Sequence, residues 1–241
     1  MFAMSDATAL AKGPSGGGAT TVPEKFRGAP FNKMSLSIGS PNHGSQLRAK
    51  RLKKAPYLKI RESSKDRSYG HPSLVLMLDR SAKQVARARP GSVLTVGDLS
   101  TVAGGALSGH HSHQSGRDAD IAFYARDKQG KAVTLDRFVA FDGDGKAKDG
   151  SGLVFDDDRN WLLVMGWARD SRADLAYVFI SRPLRARLLA FAQKRAEYRQ
   201  YIPLVTAHFM QPENAEAHDD HFHVRIRCPK DQDGLCQETA R

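Results

Sequence analysis

The stretch HFHVRIR, His221 to Arg227, alternates polar and apolar side chains at every step. Successive side chains of a β-strand point to opposite faces, so Phe222, Val224 and Ile226 share one face and His221, His223, Arg225 and Arg227 the other. Such a strand seals its apolar set into a core and aims two imidazoles together out of the sheet. Their bases would stand roughly 6.5–7 Å apart, close enough for one ring to hold a metal ion while the other reaches a water on it.

DADIAFY, Asp118 to Tyr124, reads the same way. Asp118, Asp120, Ala122 and Tyr124 fall on one face, with Ala119, Ile121 and Phe123 turned to the core. Shorter strands are expected in SVLTVGDLS (Ser92 to Ser100) and IPLVTAHF (Ile202 to Phe209). Two amphipathic helices accompany them. One runs from His71 to the Pro90-Gly91 stop, with Leu74, Val75, Leu78, Ala82, Val85 and Ala86 at helical spacing, a stripe that reads as core. The other opens with Ser181 as N-cap and Pro183 in the first turn, followed by Leu184, Leu188, Phe191, Ala192 and Arg195 at helical spacing. Strands mixed with flanking helices and no βαβ rhythm predict an α+β fold with a mainly antiparallel sheet and long loops.

Residues 1–30 are Gly-, Ala-, Ser-, Thr- and Pro-rich and are expected to form a disordered leader before one domain at 31–241. The start lacks a basic segment followed by an apolar one, so it does not read as a secretory signal; retention inside the cell and prior removal of a signal both stay open. No run approaches the roughly 18 apolar residues of a membrane span. Lys128 to Gly152, rich in Gly and Asp, reads as an irregular loop; its DGDGKAKDG lacks the acidic twelfth position that a calcium loop needs.

The chain has 37 Lys and Arg against 26 Asp and Glu, a net charge of +11. From Lys25 to Arg67 there are 12 basic residues against Glu62 and Asp66, so this stretch, including residues 48–61, carries most of the excess. A basic patch favours a polyanion, whether nucleic acid, anionic lipid or cell wall, and equally suits a solvated face. No aromatic platform or nucleic-acid-binding motif accompanies it. Cys228 and Cys236 flank the turn-rich PKDQDGL, a length compatible with a disulfide in an oxidising compartment and also with two unrelated thiols.

Seven of the nine histidines fall in two places: His110, His111 and His113, then His208, His218, His221 and His223. His113 and Asp120 are seven apart, with a turn between them. Two histidines and an aspartate make a three-ligand N/O set, and a catalytic zinc keeps its fourth position open.

GGALSGHHSHQSGRDADI together with HDDHFHVRIRCP resembles the penicillin-insensitive murein endopeptidase family, within a wider group of lysostaphin-type peptidases, D-Ala-D-Ala peptidases and hedgehog domains. SLSIGSPNHGSQLRAKRL and VFDDDRNW extend the likeness over roughly residues 33 to 236. The resemblance implies Zn2+ held by His113, Asp120 and His223, with His110 as the histidine of the GHxSHQ motif and a further candidate for the metal. It implies His221 as the second catalytic histidine and His218 as the preceding active-site histidine, also catalytic, a periplasmic location, and a cysteine pair after the HxH strand. The implied substrate is the cross-linked peptide of peptidoglycan, cut between D-Ala and diaminopimelate without a β-lactam-sensitive serine. The basic residues 48–61 would draw the protein to the anionic wall, and a nucleic-acid partner is not expected. Two other activities fit the same motifs: a D,D-carboxypeptidase or dipeptidase acting on stem peptides, and a non-catalytic zinc-bound wall-binding module. Arg117 or Arg225 could grip a substrate carboxylate, although a salt bridge is the commoner use of either.

Overall fold

The computed structural model describes residues 22–211 and 217–239. Of the expected leader, residues 1–21 lie outside this range. The described remainder includes a short 3-10 turn, Glu24–Phe26, whose Phe26 packs into a small apolar cluster with Leu36, Ile38 and Leu235.

Six strands form the main sheet: β1 (Leu58–Ile60), β2 (Leu94–Val96), β3 (Asp118–Ala122), β4 (Leu175–Phe179), β5 (Phe209–Met210) and β6 (His221–Ile226). Their order across the sheet is β5-β4-β6-β3-β2-β1. The four central strands pair antiparallel, whereas each edge pairs parallel, β4 with β5 and β1 with β2. The fold is α+β as expected. The absence of a βαβ rhythm is corrected, because both parallel pairs are joined through helices: α1 (Pro72–Ala88) links β1 to β2, and a helical run links β4 to β5. A parallel neighbour cannot be reached by a hairpin and needs such a crossover.

Helix α1 starts where His71 caps it, its imidazole accepting the Ser73 N–H at 3.3 Å with Pro72 next. It ends before Gly91, whose φ of +83° suits glycine. Helix α2 (Asp157–Ala168) is capped by Asp156, which accepts the Arg159 N–H at 3.1 Å. Its Trp161, Leu162, Leu163, Val164, Met165 and Trp167 are all buried, so it shows no apolar stripe by which sequence could single it out. In α3 (Arg182–Gln193) Ser181 occupies the N-cap position, yet its hydroxyl makes no capping bond; its N–H donates to the His218 carbonyl at 2.8 Å instead.

The expected strand at Ile202 to Phe209 is a second correction. After α4 (Ala196–Arg199), Ile202–Thr206 forms a short helix, α5, with Pro203 in its first turn, and only Phe209–Met210 is extended. Proline's fixed φ and missing N–H suit a helix start better than a ladder.

The sheet's apolar face is covered by helices. Phe222 meets Trp167 edge-on at 5.5 Å and Phe123 at 4.6 Å, and Trp167 donates its indole N–H to Ser81 of α1 at 2.9 Å. Phe222, Val224, Ile226, Ala119 and Ile121 are all but fully buried. Cys228 and Cys236 are bridged, with Cα atoms 5.6 Å apart. Among the described residues no helix is long and apolar enough to cross a membrane.

The Lys128–Gly152 segment is mostly turns, but it is not detached. Leu135, Val139 and Phe141 are buried, and the Phe141 N–H donates to the Asp219 carbonyl at 2.8 Å. Its aspartates close turns: Asp142 accepts the Lys146 N–H and Asp149 the Ser151 N–H.

Candidate metal centre

The ladder between β3 and β6 puts His223 opposite Asp120, Arg225 opposite Asp118 and His221 opposite Ala122. Both strands therefore present their polar residues on the face away from the helices. The loop before β3 folds over this face and adds His110 and His113.

Asp120 is the hub. His113 Nε2 lies 3.3 Å and His223 Nδ1 3.2 Å from its Oδ1, and His221 Nε2 lies 3.5 Å from the same oxygen. His110 Nδ1 faces the other oxygen at 3.6 Å. His113, Asp120 and His110 each offer a ligand atom within 4.8 Å of the others. His113 is fully buried and Asp120 nearly so, yet His113 Nε2 and Asp120 Oδ1 have no hydrogen-bond partner. Leaving two such atoms unpaired costs free energy that a cation between them would recover, so the residues fit a metal.

The second nitrogen of each ring is held. His113 Nδ1 lies 2.6 Å from the Leu99 carbonyl, which accepts only, so this nitrogen carries the proton and Nε2 is left with a lone pair for the centre. His223 Nε2 lies 2.8 Å from Asp118 Oδ1, which frees its Nδ1 in the same way. His110 Nε2 contacts Asp98 at 2.9 Å, and Asp98 also accepts from Arg67 at 3.0 Å.

The electrostatics separate two further histidines. Burial disfavours charge on His221, but its contacts with Asp120 and with Asp220, 2.5 Å from Nδ1, outweigh this and push its pKa up to about 10. Burial pushes His218 down to about 4, the neighbouring His223 and His221 adding to the effect, and its buried Nδ1 has no partner. Their rings meet edge-on at 5.4 Å. Asp120 shows the opposite balance: burial would raise it, yet the surrounding histidines hold it well below the usual carboxylate range.

His110, His113, Asp120, His218, His221 and His223 are thus all brought together. His111 is exposed, and His208 lies apart, its Nδ1 3.3 Å from the Ala176 carbonyl. A cavity of about 650 Å³ lined by His71, His208, Arg227 and Cys228 contains none of the clustered groups. Neither arginine considered for a substrate carboxylate is free. Arg117 is buried and donates to Glu238 and to the Gln237 carbonyl, and Arg225 donates to Asp118 at 2.6 Å.

Sequence reasoning assigned no role to Asp118, Asp98, Asp220, Phe138 or Phe179. Phe138 stacks on His221 with centroids 4.6 Å apart, and Phe179 lies against His218 and His223 at 5.5 and 5.0 Å. The two-residue spacing from Asp120 in DAD was the available signal for Asp118; the others arrive through tertiary contacts.

A family profile described as penicillin-insensitive murein endopeptidase matches residues 37–241. Curated proteins named penicillin-insensitive murein endopeptidase from Escherichia coli O1:K1 / APEC and from Escherichia coli strain SMS-3-5 / SECEC are each 30% identical over 206 residues, covering 84% of this chain and 70% of their own. With a match of that extent across the sheet and all six clustered residues, the chain belongs to the penicillin-insensitive murein endopeptidase family.

Proposed function

We propose that the protein is a zinc-dependent endopeptidase that hydrolyses the amide between D-Ala and diaminopimelate in cross-linked peptidoglycan, without a serine that β-lactams could acylate. The observation that carries this reading is the pair of buried, unpartnered atoms His113 Nε2 and Asp120 Oδ1, facing His223 Nδ1, in a chain of a murein endopeptidase family.

His113, Asp120 and His223 would hold the zinc, with His110 beside them. When bound, zinc supplies Lewis-acid activation of water and of the scissile carbonyl. The rest falls to the chain's own groups. Asp118 and the Leu99 carbonyl fix the rings of His223 and His113. His221, paired through Nδ1 with Asp220, stabilises negative charge on the carbonyl oxygen and gives a proton to the leaving amine. His218, buried and neutral with a vacant Nδ1, accepts the proton of the attacking water. Two imidazoles whose surroundings drive their proton affinities apart divide acid and base work in this way.

The reaction takes place outside the cytoplasm, in the periplasm, a setting that suits the Cys228–Cys236 bridge. In the basic stretch Lys50, Arg51, Lys53 and Lys54 are exposed, while Arg48 donates to the Phe31 carbonyl and Lys59 pairs with Asp136. The exposed four attract the anionic wall, so binding to sacculi should weaken as salt rises.

The deciding experiment incubates the zinc-loaded protein with purified dimeric and monomeric muropeptides, with and without a β-lactam. Dimers should become monomers in both conditions. Loss of a terminal D-Ala from monomers while dimers persist would replace this reading with the D,D-carboxypeptidase one, and binding without any cleavage would leave only the wall-binding module.

A further inference from the structure

With Arg117 and Arg225 committed inside the fold, a third arginine stands beside the centre. Arg61 is fixed through its backbone: its N–H donates to the Val96 carbonyl at 2.8 Å, and its own carbonyl accepts the Ser64 N–H at 3.0 Å. Its guanidinium carbon lies 4.3 Å from the centre of the Phe138 ring. That ring is stacked on His221, with planes 20° apart. Since the imidazole occupies one face of Phe138, the guanidinium covers the other. Arg61 is half-buried, and among the described residues its side chain makes no ion pair. A guanidinium over an aromatic face uses its cationic carbon in that contact and keeps N–H donors for a carboxylate, which it can hold through two parallel bonds.

We propose that Arg61 binds the carboxylate next to the scissile amide, on the diaminopimelate side of the cross-link. This rests on the endopeptidase reading above. In that cross-link the amide nitrogen sits on a carbon that also bears a carboxylate, so the two groups are separated by a fixed, short path. Phe138 stands between the guanidinium and the His221 ring, so a carboxylate held by Arg61 lies about one aromatic ring's thickness from the group that protonates the leaving amine, a separation that the short N–C–C–O path spans. Phe138 thereby acts as a spacer. A lysine in place of diaminopimelate presents an amine with no carboxylate on the same carbon, and Arg61 discriminates against it.

The test compares two cross-linked dimers that differ only in whether this carboxylate is free or amidated, measuring equilibrium binding and hydrolysis for the full chain, Arg61→Gln and Arg61→Lys. The unmodified protein should favour the free carboxylate by roughly tenfold to a hundredfold. Arg61→Gln should bring the free dimer down to the level of the amidated one and leave the amidated dimer unchanged. Arg61→Lys should fall between, since it keeps the charge and loses the fork. An equal loss on both dimers in Arg61→Gln, or no preference in the unmodified protein, overturns the assignment and leaves Arg61 as a prop for Phe138. If neither dimer is cleaved, the endopeptidase reading falls, and the difference in binding still decides the role of Arg61.

Discussion

Two segments bring imidazoles to the same carboxylate by different means. Strand β6 delivers His221 and His223 through its two-residue period, clamped between β4 and β3. The loop from Gly109 to Gly116 delivers His110 and His113 with no regular structure. There His113 itself takes a φ of +69°, and Gly109 and Gly116 lie at +83° and +73°. The strand sets geometry by a ladder of bonds shared with its neighbours, the loop by a few residues in a backbone region that side chains disfavour. The outer contacts differ in the same sense: a carboxylate, Asp118, orients the strand's ring, and a backbone carbonyl, Leu99, orients the loop's. Substitution can remove the first and not the second.

The largest expected effect comes from removing one ligand on each side. His113→Ala and His223→Ala should both lose zinc and at least about a thousandfold in kcat/KM, because several kcal/mol of transition-state stabilisation go with the metal. His221→Ala should keep the metal and lose turnover. Metal analysis of the three purified variants checks this. Retention of zinc by His113→Ala alone would show that His110 can replace its neighbour, breaking the symmetry between loop and strand.

Asp118→Asn probes the strand's outer contact and should reduce metal affinity or activity by roughly tenfold to a hundredfold. Circular dichroism serves as the folding control, because Arg225 loses an ion-pair partner at the same time. An unchanged affinity would mean that the ladder alone orients His223.

A smaller effect, on stability first, is expected from Gly116→Ala. A Cβ there would collide with the side-chain amide of Gln46, which cannot retreat because it is buried and donates to the Thr101 carbonyl at 2.6 Å. The cost should be roughly 1–3 kcal/mol, or about 3–10 °C in melting temperature for a chain this size. Thermal unfolding measures it, and a normal melting temperature would show that the loop is more tolerant than its backbone angles imply.

The same contrast explains what the sequence disclosed. The central strands were legible because Phe222, Val224 and Ile226 alternate with His221, His223 and Arg225, and a period of two is local information. The His113–Asp120 spacing was legible as a ligand pair, and α1 as a stripe. Helix α2 was not, since residues buried all round carry no periodicity, and β4 lacked an alternation to announce it. Ile202–Thr206 misled because Ile, Leu and Val favour strands by composition while Pro203 favours a helix start. Asp98 behind His110, and Arg61 on Phe138 on His221, depend on contacts between distant parts of the chain, which no local pattern records.

The place of β6 in the sheet has a consequence in time. It lies between β4 and β3, yet it is the last of the six strands to be synthesised, and its His223 meets an Asp118 that precedes it by 105 residues. A chain emerging from its N-terminus therefore has the aspartates and the loop histidines in hand while the middle of the sheet is still missing. Pairings across so long a stretch of chain are intrinsically slow to form. Until this one forms, His221 and His223 are not beside Asp120, so a partly made chain has no complete centre, and the lytic capacity proposed for this protein would switch on only when the final strand is inserted.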